Sequence, residues 1–273
     1  MQYAILDGQR SEAVARKRGS CPICGADMVA KCGPRMLHHW AHASRQNCDP
    51  WWENETPWHR EWKARFPEDR RELCRIAPDG EVHRADVITA SGIVVEIQNS
   101  PMSDAERLSR EAFYKNMIWI VNGAKFRDQF YILHALPDPS SDVARDVVWF
   151  KARADEQGTS YGMFWRPSEN PDRLAGLTRM VLLRTMRDIE QAVNDAYSGH
   201  HQYDWKRPRA GWLESSCPVF IDFGEEWVWQ LGKYGASSLP CARAVAKAKL
   251  VHDAMTEPHA TAIASRFYPI PRS

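Results

Sequence analysis

The most regular alternation of apolar and polar positions lies between Val82 and Gln98. Val82 to Thr89 and Ile93 to Gln98 read as two strands joined by a tight Ser91-Gly92 turn. Side chains alternate along a strand, so Glu96 and Gln98 share a face, and Asp86 stands on the neighbouring strand. Upstream, Leu73 to Ala77 predicts a further strand, closed by the turn Pro78-Asp79-Gly80. Before it, a linker through Asn54 leads to Thr56 as N-cap and Pro57 in the first helical turn. Trp58, Trp62 and Phe66 follow at helical spacing and predict a core face, with Glu55, His59 and Lys63 on a neighbouring stripe. Downstream, Ser103 stands three residues before Glu106 as in a capping box, and the helix it opens runs to about Lys115. Met117 to Val121 is an apolar strand ended by Asn122-Gly123. Strand, helix and strand in that order predict a parallel, right-handed crossover.

The flanking regions read differently. Tyr3 to Leu6 predicts a short strand and Asp7-Gly8 a turn. Pro137 to Ser141 reads as a boundary, Asp146 to Ala152 as a strand, and His200 and His201 as an exposed loop. Pro171 opens a long amphipathic pattern whose apolar positions, Leu174, Leu177, Met180, Leu183, Met186, Ile189 and Val193 among them, predict one helix. Pro218 to Phe223 and Trp227 to Leu231 predict a pair of strands, and Ala242 to Met255 a helix. Trp205, Trp212, Trp227 and Trp229 are expected in the core; the alternative is base stacking between basic residues. The expected division is 1–50, 51–136 and 137–273, within a mixed α/β (α+β) class.

Composition narrows the class of protein. Hydrophobic residues make up 44% and charged residues 26% of 273, as in a soluble globular protein. The net charge of +1 gives no global argument for a nucleic-acid partner. No apolar run is long enough for a membrane span, and MQYAILDGQR lacks the apolar core of a signal peptide, so a cytoplasmic protein without a membrane partner is expected. The seven cysteines are an odd number and include a Cys-x-x-Cys, which points to a reducing compartment and metal binding.

The candidate chemistry is of two kinds. Cys21-Pro22-Ile23-Cys24-Gly25 has the shape of a zinc knuckle, and His39-Trp40-Ala41-His42 offers two imidazoles about one helical turn apart. Cys21, Cys24, His39 and His42 are therefore the expected ligands of a structural Zn²⁺. Cys32, His38 and Cys48 are alternatives for one of them. A segment this short needs such a staple. In the hairpin, Asp86 and Glu96 can hold Mg²⁺ or Mn²⁺ beside a positioned water, as phosphodiester hydrolysis requires. Arg107 and Arg110, one turn apart, can meet a nucleic-acid backbone or pair with Glu106 and Glu111.

Asp on one strand and Glu-x-Gln on the next, between two helices and before a further strand, resemble the PD-(D/E)XK nuclease superfamily. With the preceding Cys-Pro-x-Cys, Lys31, Gly33, His39-Trp40-Ala41-His42, His59 and Lys63, the pattern resembles the competence protein CoiA-like family over about residues 1–130. The resemblance implies a restriction-endonuclease-like αβββαβ core behind a zinc module, and a metal-dependent DNA nuclease, most simply an endonuclease. Asp86, Glu96 and the carbonyl of Ile97 would then ligate the ion. DNA uptake with recombination, or defence against foreign DNA, is the implied setting, and a second copy or a partner in those processes stays open. Gln98 occupies the place where a lysine usually stands, and Gln can orient a group but cannot supply positive charge. Lys63, Arg84 or Lys115 would supply the cation, Lys63 before the others because its helix also carries His59, a ligand or proton carrier. Arg84, Arg107, Arg110 and Lys115 are the expected contacts to DNA. The competing expectation is a nuclease fold that cleaves nothing and binds DNA or a partner.

Overall fold

A computed structural model describes residues 1–44, 48–51 and 55–265; the linker expected around Asn54 falls partly outside them. The protein is mixed α/β. Its contacts divide it into one unit of Met1–Val121 with Val251–Ile263, and a second built on Asn122–Leu250.

The first unit begins with β1 (Tyr3–Leu6), β2 (Gln9–Glu12), β3 (Arg18–Ser20), β4 (Asp27–Lys31) and β5 (His39–His42). These strands form an antiparallel sheet in the order β2-β1-β3-β4-β5. Asp7 and Gly8 both take positive φ, 51° and 79°, which suits a tight hairpin turn between right-twisted strands. Met1, Ala4, Cys21, Met28 and Trp40 pack beneath the sheet.

Helix α1 (Pro57–Ala64) follows. The Thr56 side chain accepts from the backbone of His59, and the His59 ring returns to the Thr56 backbone, closing a reciprocal cap. Trp62 and Phe66 are buried, as their spacing predicts; His59 and Lys63 on the neighbouring stripe are buried as well. Next come β6 (Cys74–Ile76), β7 (Val82–Arg84), β8 (Val87–Ile88) and β9 (Val94–Gln98). The strand expected over Val82–Thr89 is broken at Ala85-Asp86: β7 pairs with β6, whereas β8 pairs with β9. One apolar run thereby serves two sheets, and Asp86 sits at the bend between them.

Helix α2 (Asp104–Tyr114) starts at Ser103, whose hydroxyl accepts from the Glu106 backbone. It leads to β10 (Met117–Asn122), which pairs with β9 in parallel, Met117 opposite Val94 through Val121 opposite Gln98. Every residue of β9 is buried, as expected for a strand covered on both faces. The chain's return is clasped to this unit: Ser91 donates to the Ala254 carbonyl, and the Asn116 amide bonds Pro258 and Ala260.

The second unit holds β11 (Phe130–Pro137), α3 (Asp142–Arg145), β12 (Val148–Trp149), β13 (Met163–Trp165), α4 (Pro171–Leu174), β14 (Arg184–Thr185), α5 (Glu190–Asp195), β15 (Tyr197–Trp205), α6 (Ala210–Leu213), β16 (Val219–Asp222), β17 (Trp227–Lys233) and β18 (Pro240–Ala246). Helices α7 (Lys247–Thr256) and α8 (Ala260–Ser265) end the described chain. Strands β11-β15-β18-β17-β16 lie in that order, antiparallel throughout, with β12-β13-β14 as a smaller sheet.

Three expectations fail in this unit. The long helix from Pro171 stops at Leu174, because Gly176 takes φ +74° and turns the backbone away; Leu174, Leu177 and Met180 are left exposed. Ala242 to Ala246 is strand, because pairing with both β15 and β17 outweighs the helical preference of its alanines. His200 and His201 lie within β15 and are half-buried, not in an exposed loop. Trp205, Trp212 and Trp229 are buried, as expected of core residues.

Candidate functional site

In the first unit, Cys21, Cys24, His42 and Cys48 bring one ligand atom each within 4.8 Å of one another. Cys21 Sγ is 3.6 Å from Cys48 Sγ, too far for a disulfide, and Cys24 Sγ is 3.4 Å from His42 Nε2. A tetrahedral Zn²⁺ with thiolates at ~2.3 Å holds its ligands roughly 3.8 Å apart, so this donor set fits a structural Zn²⁺. The reverse turn that aims Cys21 and Cys24 at one point is closed by Gly25, which takes φ +71° and donates to the Cys21 carbonyl.

The expected ligand His39 is not in the cluster, and Cys48 takes the fourth place. The reason is local. His39 and His42 lie on a strand, where residues three apart point to opposite faces; the shared face of a helical turn does not exist here. His39 Nδ1 instead lies 2.9 Å from the Leu37 carbonyl. Without metal, burial and then the neighbouring Cys21 push the Cys48 thiol up to about 12.

The carboxylates meet in a second place. A cavity of about 40 Å³ is lined by Glu55, His59, Lys63, Glu72, Asp86, Glu96 and Arg110, with Asp49, Arg84 and Ile97 at its walls. The bend at Asp86 places its Oδ2 2.9 Å from the Ile97 backbone nitrogen, which donates to it. The Asp86 nitrogen in turn points at Glu96 Oε1, 3.4 Å away. Glu96 is only 4% exposed, and burial, then the charge of Asp86, push its carboxyl up to about 8. Two close carboxylates in a space that admits an ion or a water are a donor set that suits Mg²⁺ or Mn²⁺.

Lys63, 2% exposed, is held between Glu55 and Glu72, with Nζ 2.7 Å from Glu72 Oε1. Burial opposes its charge, but Glu72, Asp86 and Glu55 outweigh burial and hold the ammonium above its ordinary range. Burial likewise opposes the charge of Glu72; Lys63 and Arg84 outweigh it and hold the carboxyl well below the usual range. Glu72 also accepts from the backbones of Gln2 and Tyr3, so the lysine's counter-ion ties β1 to the core. Arg84 is half-buried; Glu72, Asp86 and Asp49 outweigh its burial and keep its guanidinium charged. Asp49 positions this segment by accepting from the Arg84 backbone (3.0 Å) and holding the His83 ring (3.0 Å), which stacks on Trp51.

Four expected site residues lie outside this cavity or face inward. Gln98 is buried and donates to the Ser100 carbonyl, and it does not line the cavity. Arg107 and Arg110 are 3% and 6% exposed, so neither is presented to a nucleic-acid backbone. Arg107 pairs with Glu111, and Arg110 with Glu106 and, across to β9, with Glu96 at 2.8 Å. Lys115 is exposed beyond the end of α2 and takes φ +60°. Sequence reasoning missed Glu72 and Asp49. Neither has a spacing that marks it, and Cys48 appeared there only as a substitute ligand.

Comparison with known proteins bears on the first unit. The profile of the family described as Competence protein CoiA, N-terminal domain, matches residues 6–50, which contain all four members of the Cys/His cluster. Competence protein CoiA of Bacillus subtilis (strain 168) is 31% identical over 64 residues, 23% of this chain and 17% of that protein. The chain thus spans about a sixth of the curated relative's length. No solved structure matches the chain. The family profile thus falls on the N-terminal module. Among the described residues, no helix is long and apolar enough to cross a membrane.

Proposed function

We propose that the protein is a metal-dependent nuclease that hydrolyses phosphodiester bonds in DNA, built on a restriction-endonuclease-like core beside a structural zinc module. The observation that carries this reading is the convergence of Asp86 and Glu96 in one small cavity with Lys63 and Arg84. A divalent ion held there would acidify a bound water and shield the phosphate.

The chain's own residues do the rest. The β8–β9 pairing and the bond from the Ile97 nitrogen to Asp86 hold the two carboxylates in a fixed relation. Arg84, charged and only half-buried, meets the phosphate and supplies the positive charge that Gln98 lacks. Lys63 is less able to do so, since both of its carboxylate partners already claim it. Arg110 pairs with Glu96 until a cation arrives. Similarity of the N-terminal module to a competence protein favours a setting in DNA uptake and recombination.

The test is incubation with single-stranded, duplex and branched DNA in Mg²⁺, Mn²⁺ or EDTA, beside Asp86→Asn and Glu96→Gln. Metal-dependent cleavage lost in both variants is the expected result, and cleavage kept by either would defeat it. One observation favours a second reading: Gln98 is turned to Ser100, away from the cavity. A protein that binds DNA but cleaves nothing would show salt-sensitive binding without metal-stimulated cleavage.

A further inference from the structure

Next to the carboxylate cavity lies a larger one, of about 280 Å³. Met1, Met28, Trp40 and Ala41 contribute apolar wall, His39, Ser44 and Arg84 contribute polar groups, and the cluster members His42 and Cys48 form the side that borders the zinc site. Its size is near the lower limit of ~300 Å³ for small-molecule sites, and apolar walls with a few convergent polar groups are the usual make-up of such sites. The two cavities share Met1, Asp49 and Arg84. Asp49 is saturated by the His83 ring and the Trp51 and Arg84 backbones, so it shapes the wall between them. Arg84 is the cationic side chain at the junction.

A nucleotide has this same plan: a flat apolar body with polar edges, joined through a sugar to an anion. The cavity is half open and of a size for one base, so a base can enter it only after leaving the duplex stack, as an unpaired or flipped base does. Resting on the nuclease reading above, we propose that the larger cavity receives one unpaired nucleobase of the strand being cut. Arg84 holds the phosphate that joins this nucleotide to the carboxylate cavity. The substrate class is then nucleic acid with at least one unpaired nucleotide at the cut.

The test uses the full chain, zinc-loaded, and oligonucleotides carrying the fluorescent base 2-aminopurine. Binding is read with Asp86→Asn, and cleavage with the wild type. The expected result is a change in 2-aminopurine fluorescence on binding the single strand but not the perfect duplex. Cleavage of the single strand should be at least ~10-fold faster than of the same strand in a duplex. Ala41→Phe, which fills the cavity, should remove the fluorescence change and raise KM, with zinc content and Tm unchanged. Should Ala41→Phe fail to fold, Ser44→Trp at an exposed position of the rim tests the same point. Equal cleavage of single strand and duplex, with silent 2-aminopurine, overturns the pocket and leaves the nuclease reading standing. A fluorescence response without cleavage of any DNA supports the pocket and removes the nuclease reading.

Discussion

The interiors of the two units are organised by different physics. In the first, charge and sulfur converge. A Cys/His cluster lies beneath a small sheet, and a buried set of carboxylates is matched by Lys63, Arg84 and Arg110. In the second, carbon does most of the work. Phe126 stacks on Trp205, Phe130 on Tyr203, and Phe223 packs against both pairs. A buried charge pair there, Lys247 to Asp222 at 2.9 Å, is already matched, and the half-buried His134 and His200 are kept neutral: burial, followed by His201 for the former and Arg243 for the latter, brings each down to about 4. A neutral imidazole needs no counter-charge, but Glu96 beside Asp86 does. A buried cluster that still calls for a cation is a place to look for a ligand, and one that has settled into neutrality is a place to look for packing.

The largest effect should come from removing zinc. A chelator is expected to unfold the sheet of residues 3–42, since structural zinc contributes on the order of 10 kcal/mol to a small module. The second unit should keep its amide protection under the same treatment, as hydrogen exchange would report. Cys48→Ser should lose the metal and His39→Ala should retain it, by zinc stoichiometry; the opposite pattern would restore His39 as the ligand.

Next in size is Glu72→Ala, which strips a counter-ion from buried Lys63 and frees the Gln2 and Tyr3 backbones. A loss of ~3–5 kcal/mol is expected in urea unfolding. His134→Phe in the second unit should change stability by less than about 1 kcal/mol, because no charge is left unpaired. Comparable losses from the two would erase the contrast drawn above.

The pH effects are opposite in sign. Folded Glu96 binds its proton more tightly than the unfolded chain does. Metal-free protein should therefore lose stability as pH rises from about 4.5 toward 8, by at most ~1.4 kcal/mol per pH unit. Glu96→Gln should flatten that limb of the curve. His134 and His200 bind protons less tightly when folded, so they should cost stability as pH falls from about 6.5 toward 4. Adding Mn²⁺ should suppress the Glu96 limb and leave the histidine limb unchanged. Calorimetry across this range, with each variant, separates the two.

Much of the first unit was legible because its signals are local. Thr56-Pro57 and Ser103 cap helices where their chemistry says they should, and the apolar runs of β9 and β10 predict their parallel pairing. The stripe of Glu55, His59 and Lys63 was visible as a spacing, but whether it faced water or the carboxylates was not. Arg107 and Arg110 were ambiguous for the same reason: helical spacing relates them to Glu106 and Glu111 without saying which side is covered. The apolar positions from Leu174 to Val193 misled, because a periodic pattern says nothing of a glycine that turns the chain out of the helix.

By itself the sequence determined the donors: the knuckle cysteines, the carboxylates Asp86 and Glu96 a turn apart, and the helix starts, all set by neighbours a few residues away. Only the tertiary structure decided the company those donors keep. Cys48 reaches Cys21 across 27 positions, Glu72 meets Lys63 and β1, and Asp49 meets His83 across 34. The parity of β5, which separates His39 from His42, depends on that segment being strand, and it becomes strand by pairing with β4. Ligation and burial are set by distance in space, and a linear pattern records distance only along the chain.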